Sequence, residues 1–332
     1  MICHFVEQPA ATLRALFEER YQPLVFERRG ASIAVLSSKV QKLDEQFASL
    51  FSRVFVAKSD IQLASRSYQE AISEVGWGGL SIGGDRNSMA LIAGPCSVES
   101  REQLWAVCEV LAALGVRSLR GGAFKPRTSP YSFQGLGNEG LRLLSEARRH
   151  FGFSIVSEVR DSTHVEQVLD TVDVVQVGAK AMYDQGILRA CGRAKKPVLL
   201  KRGFGSTLQE FVQAAEFILS LGNDQVMLCE RGIRTFESKT RFTLDLCGVE
   251  YLKEHTNLPV IVDPSHAMGF RYGVPALARA ATALGVDGLL IETHPCPTEA
   301  LSDAAQQLDL NQFAQLKAQL AELAPVLGKT LV

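Results

Sequence analysis

The 332-residue chain is 46% hydrophobic and 21% charged, an ordinary globular composition with room for two domains or one large barrel with an appendage. Its 35 basic and 36 acidic residues leave a formal net charge of -1, which argues against bulk affinity for nucleic acid or an anionic membrane. Seven cysteines without a CxxC pair argue against a disulfide framework, no apolar run approaches the roughly 20 residues of a membrane span, and the first seven residues lack a basic, apolar leader. The expectation is a cytoplasmic protein.

Residues 1–66 read as a small ferredoxin-like α+β lobe. Strands are expected over 2–6, 24–27, 32–36 and 53–57, with helices over 11–20 and 43–51. The lobe holds no cluster of catalytic residue types, so it is structural, oligomerising or regulatory. Residues 67–88 form a glycine-rich linker, with a short hairpin around 80–82.

From residue 89 to 332 the pattern is strand then helix, eight times over. The strands are expected at 90–93, 116–119, 154–157, 174–177, 198–200, 226–228, 260–262 and 288–291. Most are short and apolar without alternation, as buried parallel strands are. Ser100 with Gln103, and Thr207 with Glu210, read as capping boxes opening two of the helices. Eight such units predict a (β/α)8 barrel, whose active face lies past the strand C-termini. An open doubly wound sheet is the alternative, but no GxGxxG follows the first strand.

The chemically suggestive residues lie just past strands. Arg120-Gly-Gly-Ala-Phe-Lys-Pro-Arg-Thr-Ser129 packs three cations and two hydroxyls into ten residues. Lys180 follows strand four, Lys201-Arg202-Gly203 strand five, and Glu230-Arg231-Gly232 strand six. Together they make a basic mouth in a nearly neutral protein, suited to phosphate oxygens. Glu158 ends strand three, where it could orient a Lys, move a proton or balance charge. Cys96 follows strand one, His266 strand seven and Glu292 ends strand eight, with Asp303 beyond it. A barrel makes strands one and eight neighbours, so these four form a candidate site for Mn²⁺, Fe²⁺, Zn²⁺ or Co²⁺. Each alone has a plainer reading: a lone Cys is usually a small core residue, a lone Asp usually a cap.

The segments Gly94-Pro-Cys-Ser-Val-Glu99, Leu119 through Gly135, Leu200-Lys-Arg-Gly203, Cys229-Glu-Arg-Gly-Ile-Arg234 and Val262-Asp-Pro-Ser-His266 resemble 3-deoxy-D-arabino-heptulosonate-7-phosphate (DAHP) synthases of the type I beta subfamily. The resemblance runs from about Gly84 to the C-terminus; the first lobe resembles, more loosely, a regulatory extension in some members. It implies condensation of phosphoenolpyruvate with erythrose 4-phosphate at the entry to the shikimate pathway. It also implies one divalent ion on Cys96, His266, Glu292 and Asp303, and phosphoenolpyruvate on Arg120, Lys125, Lys201 and Arg231, with Lys180 and Glu158 nearby. Arg127, Thr128 and Ser129 match the segment that holds the aldose phosphate, and Lys125, Glu158 and His266 are the expected catalytic groups. A homodimer or homotetramer and an aromatic amino acid effector are implied partners.

Three positions depart from the family pattern. Lys180 stands for a usual Arg, Phe242 for a usual Asn, and Phe270-Arg-Tyr272 for an Arg-Arg-Asp run. They fall partly on the aldehyde side, so a synthase for a modified tetrose phosphate stays open. The sister chemistry on arabinose 5-phosphate is disfavoured, because that family tends to carry Lys-Ala-Asn-Arg-Ser where this chain has Lys125-Pro-Arg-Thr-Ser129. A non-catalytic phosphometabolite sensor is the rival from another class.

Overall fold

The computed structural model describes residues 1–125, 129 and 131–332. The N-terminal lobe runs β1 (Ile2–Phe5), α1 (Ala11–Tyr21), β2 (Leu24–Arg28), β3 (Ala31–Val35), a 3-10 turn (Glu45–Leu50) and β4 (Phe51–Phe55). Its four antiparallel strands lie in the order β2-β3-β1-β4. Period-two alternation sends Cys3, Phe5 and Ala34 to one face, against Phe17 of α1 and Phe47 and Leu50 of the 3-10 turn. Ile2 and Ile33 point the other way, into the core shared with the barrel. The second helix expected over 43–51 is shorter and tighter than an α-helix. Its two buried residues are three apart and the chain enters β4 immediately after it, a spacing that a 3-10 turn serves.

Polar contacts fasten the lobe to the barrel. Arg28, 5% exposed, places Nε 2.7 Å from Asp224 Oδ1. The backbone N–H groups of Gln62 and Ala64 both donate to Glu216 Oε1 at 2.8 Å.

The linker contains β5 (Val75–Trp77) and β6 (Leu80–Ile82), joined through Gly78 and Gly79 at φ 51° and 76°. Positive φ at both turn residues is what a two-residue hairpin demands, and a Cβ on Gly78 would lie 1.8 Å from Ser154 Oγ. Val75, Trp77, Leu80 and Ile82 pack among Ala90, Ile92, Val156, Leu199 and Leu290 of the barrel interior. Trp77 Nε1 donates to Ser118 Oγ, at a strand's first residue. The hairpin therefore plugs the N-terminal end of the barrel, and the opposite end is left for chemistry.

The barrel proper runs β7 (Ser88–Gly94), α2 (Arg101–Ala113), β8 (Ser118–Arg120), α3 (Asn138–Phe151), β9 (Ser154–Val159), α4 (Val165–Thr171) and β10 (Val174–Val177). It continues with α5 (Gln185–Ala194), β11 (Val198–Lys201), α6 (Leu208–Leu219), β12 (Val226–Glu230), α7 (Leu246–His255) and β13 (Val260–Val262). It ends with α8 (Pro264–Met268), α9 (Val274–Ala283), β14 (Gly288–Glu292), α10 (Leu310–Val326) and β15 (Thr330–Leu331). Strands β7 to β14 are parallel, and β14 pairs with β7 to close the ring. Both faces of these strands are buried, one against the helices and one in the barrel lumen, which is why their apolar runs do not alternate. The two-residue β15, absent from the sequence reading, lies beside the start of β7. Thr207 and Glu210 form the full reciprocal capping box. Ser100 caps α2 through the Gln103 N–H, but the Gln103 side chain turns to Glu99 N and Ser97 O instead.

Candidate active site

Cys96, His266, Glu292 and Asp303 converge past the ends of β7, β13 and β14, with ligand atoms all within 4.8 Å of one another. Cys96 Sγ is 3.5 Å from Asp303 Oδ2; His266 Nε2 is 3.5 Å from Glu292 Oε1 and 3.8 Å from Asp303 Oδ2. Asp303 itself sits at φ 47°, a left-handed conformation unusual for a residue with a side chain. One thiol, one imidazole and two carboxylates at this spacing fit a divalent transition ion.

Asp263 orients the imidazole. It is the N-cap of α8, with Pro264 next; its Oδ1 accepts from the His266 backbone N–H at 3.0 Å. Its Oδ2 lies 2.7 Å from His266 Nδ1 and 2.6 Å from Lys201 Nζ. The Asp263 carboxylate lies within ion-pair distance of Nδ1 without an aligned hydrogen bond, and Nε2 is left facing the cluster. Gln306 adds a second support, donating to Glu292 Oε2 at 2.5 Å. The sequence reading missed both residues. Asp-Pro-Ser-His signals a helix cap, but what the second carboxylate oxygen does is a tertiary fact.

Burial, reinforced by the Glu292 carboxylate, pushes the Cys96 thiol up to about 12. Its deprotonation is thereby coupled to metal binding. Burial lowers the His266 pKa against the opposing pull of Asp263 and Glu292, which favours the neutral imidazole. Burial raises the Asp263 carboxyl, but His266 and Lys201 outweigh it and hold the group well below the usual carboxylate range. Burial also lowers Lys125, but Cys96 and Glu158 outweigh it, and the ammonium is held 3.0 Å from Cys96 O and 3.2 Å from Cys96 Sγ.

A cavity of about 330 Å³ opens beside this cluster. His266 and Asp303 of the cluster line it, and Lys125, Lys180, Lys201 and Arg231 make its wall cationic. Glu158 also lines it, with Oε2 accepting from Gln176 Nε2 at 2.7 Å. Arg234, Arg241, Phe204 and Phe242 also line it, a grouping that the sequence pattern does not announce. The basic strand ends divide into two kinds. Arg120, 3% exposed, is turned to Glu292 at 2.8 Å and Pro95 O at 2.6 Å, and Arg202 to Glu230 and Asp245 at 2.9 and 2.8 Å. Neither is among the residues that line the cavity. Ser129 lies outside the cavity wall, and Arg127 and Thr128 lie outside the described residues.

A protein-family model described as the DAHP synthetase I family matches residues 61–328. A phospho-2-dehydro-3-deoxyheptonate aldolase of Thermotoga maritima is 45% identical over 267 residues, covering 80% of this chain and 78% of that protein. A 2-dehydro-3-deoxyphosphooctonate aldolase of Syntrophotalea carbinolica is 35% identical over 266 residues, covering 74% and 95%. The crystal structure of a Thermotoga maritima DAHP synthase superposes with a TM-score of 0.81 at 37% identity, over 100% of this chain and 99% of that one. A truncated Thermotoga maritima 3-deoxy-D-arabino-heptulosonate 7-phosphate synthase gives 0.77 at 40% identity, over 82% and 100%. With its closed barrel, its N-terminal sheet lobe and a family match that spans both the four-donor cluster and the cationic wall, the chain belongs to the DAHP synthetase I family of enzymes.

Proposed function

We propose that the chain joins phosphoenolpyruvate to erythrose 4-phosphate and water, giving DAHP and inorganic phosphate, in a metal-dependent aldol-type condensation. The observation that carries this reading is one cavity of about 330 Å³ lined both by His266 and Asp303 of the four-donor cluster and by Lys125, Lys180, Lys201 and Arg231. Two phosphorylated substrates repel one another, and a cationic wall that holds both removes that cost.

Cys96, His266, Glu292 and Asp303 would hold the divalent ion, which would polarise the aldehyde carbonyl. Lys125, Lys180, Lys201 and Arg231 bind phosphoenolpyruvate with its C3 towards the aldehyde carbon, and Arg120 holds Glu292 in place behind them. Arg127, Thr128 and Ser129 take the aldose phosphate. C3 attacks the aldehyde carbon, water adds at C2, and the tetrahedral phosphohemiketal expels phosphate. Lys125 and Glu158, titratable groups on the cavity wall, hold or move the proton of that water.

Residues 1–66 form a separate lobe, 67–88 the linker and plug, and 89–332 the catalytic barrel. An aromatic amino acid acting through the first lobe, and assembly as a homodimer or homotetramer, accompany this reading.

The test follows phosphoenolpyruvate consumption and phosphate release across erythrose 4-phosphate, arabinose 5-phosphate and a modified tetrose phosphate, with and without chelator. Turnover with erythrose 4-phosphate, lost in chelator and restored by Mn²⁺, supports the reading. Preference for arabinose 5-phosphate, or full turnover by metal-free protein, overturns it.

A further inference from the structure

Among the cations that β8, β11 and β12 present at the barrel mouth, Arg231 is neutralised differently. Arg120 lies 2.8 Å from Glu292, Lys201 2.6 Å from Asp263, and Arg202 within 2.9 Å of Glu230 and Asp245. Arg231 is 5% exposed and has no carboxylate within ion-pair reach among the described residues. Its Nη1 is buried without a hydrogen-bond partner. What it does have is the face of Phe242, 4.3 Å from its guanidinium carbon to the ring centroid.

That ring is fixed from several sides. The Phe242 N–H donates to Ala267 O at 2.9 Å, one residue past His266, and the next residue, Thr243, exchanges backbone hydrogen bonds with Ile233 at 2.9 Å each way. Gly232 adopts φ 94°, and a Cβ there would come within 2.7 Å of Phe242 Cβ and 2.9 Å of Ala267 Cα. Only glycine at position 232 lets the Phe242 Cβ and the Ala267 backbone lie so close. Phe204 stacks on the Phe242 ring, with centroids 5.7 Å apart and planes at 28°.

A carboxylate in this place would take up N–H donors and cancel the charge. An aromatic face stabilises the cation through its quadrupole and uses no donor. We propose that Phe242 is a positioning residue: its ring holds the Arg231 guanidinium at the cavity wall with the charge and fork left free for a phosphate group. The inference rests on the reading of Arg231 as a phosphoenolpyruvate ligand. Burial lowers the pKa of Arg231 against the pull of the more distant Asp263, and the repelling Arg241 adds to the lowering; an incoming dianion opposes it.

The experiment measures binding of phosphoenolpyruvate, and separately of inorganic phosphate, by calorimetry on the full chain without aldose. Wild type is compared with Phe242→Leu, Phe242→Tyr, Arg231→Ala and the Arg231→Ala/Phe242→Leu double variant. A desolvated cation–π contact predicts roughly tenfold weaker binding for Phe242→Leu. Phe242→Tyr keeps the ring face and should bind within about twofold of wild type. In the Arg231→Ala background Phe242→Leu should cost nothing further, which a merely structural role would not produce. Steady-state kinetics should show the KM for phosphoenolpyruvate rising in Phe242→Leu while that for the aldose holds. Unchanged ligand binding by Phe242→Leu, equal damage by Tyr and Leu, or additive losses in the double variant overturns the proposal. If wild type binds phosphate but not phosphoenolpyruvate, and Phe242→Leu weakens the phosphate, the positioning role stands and the substrate reading falls. If wild type binds neither, both fall.

Discussion

Asp263→Asn is the most informative single change behind the site. Asparagine keeps the size of the side chain and the oxygen that caps α8 through the His266 N–H. It replaces the charged oxygen that lies 2.6 Å from Lys201 Nζ and 2.7 Å from His266 Nδ1. Lys201 is 3% exposed and Asp263 fully buried, so the ammonium keeps its desolvation cost and loses its counter-charge. Breaking such a pair from one side costs about 3–5 kcal/mol. An unfolding entropy of about 2.1 cal/mol/K per residue gives roughly 0.7 kcal/mol/K for 332 residues, so Tm should fall by about 4–7 °C. Loss of the carboxylate behind a ligating histidine should weaken metal binding about 10–100-fold. Thermal melts of metal-free protein and Mn²⁺ titration of the same samples measure both effects, and the KM for phosphoenolpyruvate should rise because Lys201 loses its anchor. A variant with wild-type metal affinity and a Tm within about 1 °C of wild type would refute the assignment of Asp263 to both tasks.

Glu216 supplies a pH prediction: burial raises its pKa against the lowering effect of the N–H groups of Ala64, Gln62 and Leu63. A raised carboxyl favours the folded state below its unfolded pKa, and that contribution disappears as pH rises through the folded value. Both hydrogen bonds go to Oε1, which Glu216→Gln retains, so the stability gained by this variant in urea melts should grow from pH 5 to pH 8; a gain that shrinks would contradict it. Lys180 lines the cavity, so Lys180→Ala should raise the KM for phosphoenolpyruvate about tenfold or more, the cost of a lost charge-assisted contact, and Lys180→Arg should not; indifference to both would remove Lys180 from the site. Deleting residues 1–60 should leave a soluble, active barrel, whereas deleting through Gly83 removes Val75, Trp77, Leu80 and Ile82, each at most 6% exposed, and should give insoluble protein. If an aromatic amino acid inhibits the full chain through the first lobe, the shorter deletion abolishes that inhibition.

The barrel was legible because its strands are buried on both faces, so short apolar runs each end abruptly in charge: Arg120, Lys201, Glu230 and Glu292 close β8, β11, β12 and β14. The four donor residues were legible because β14 closes the ring against β7, bringing the loop with Cys96 beside Glu292. Less was legible where local pattern carries no tertiary information. Two residues such as Thr330 and Leu331 hold no period, so β15 escaped, and a 3-10 turn differs from a helix only in a spacing that Phe47 and Leu50 satisfy either way. The hairpin was expected from its glycines, but nothing in the residues around 75–82 announces that their apolar side chains plug a barrel.

Charge compensation divides the cations at the barrel mouth. A buried charge is tolerated when it is paired. Arg120, Arg202 and Lys201 have carboxylates within 2.9 Å, and of these only Lys201 also lines the cavity. Lys125 and Arg231 are 6% and 5% exposed and, among the described residues, no carboxylate lies within ion-pair reach of either. Lys125 rests on the Cys96 thiol, which carries charge once a metal has displaced its proton, and Arg231 rests on an aromatic ring, which carries none. Two buried cations that line the cavity thus have no carboxylate within ion-pair reach among the described residues. On the proposed function, a phosphorylated carboxylate would supply a close anion to both. On that reading, phosphoenolpyruvate binding should stabilise the enzyme against heat in proportion to the occupancy of both positions.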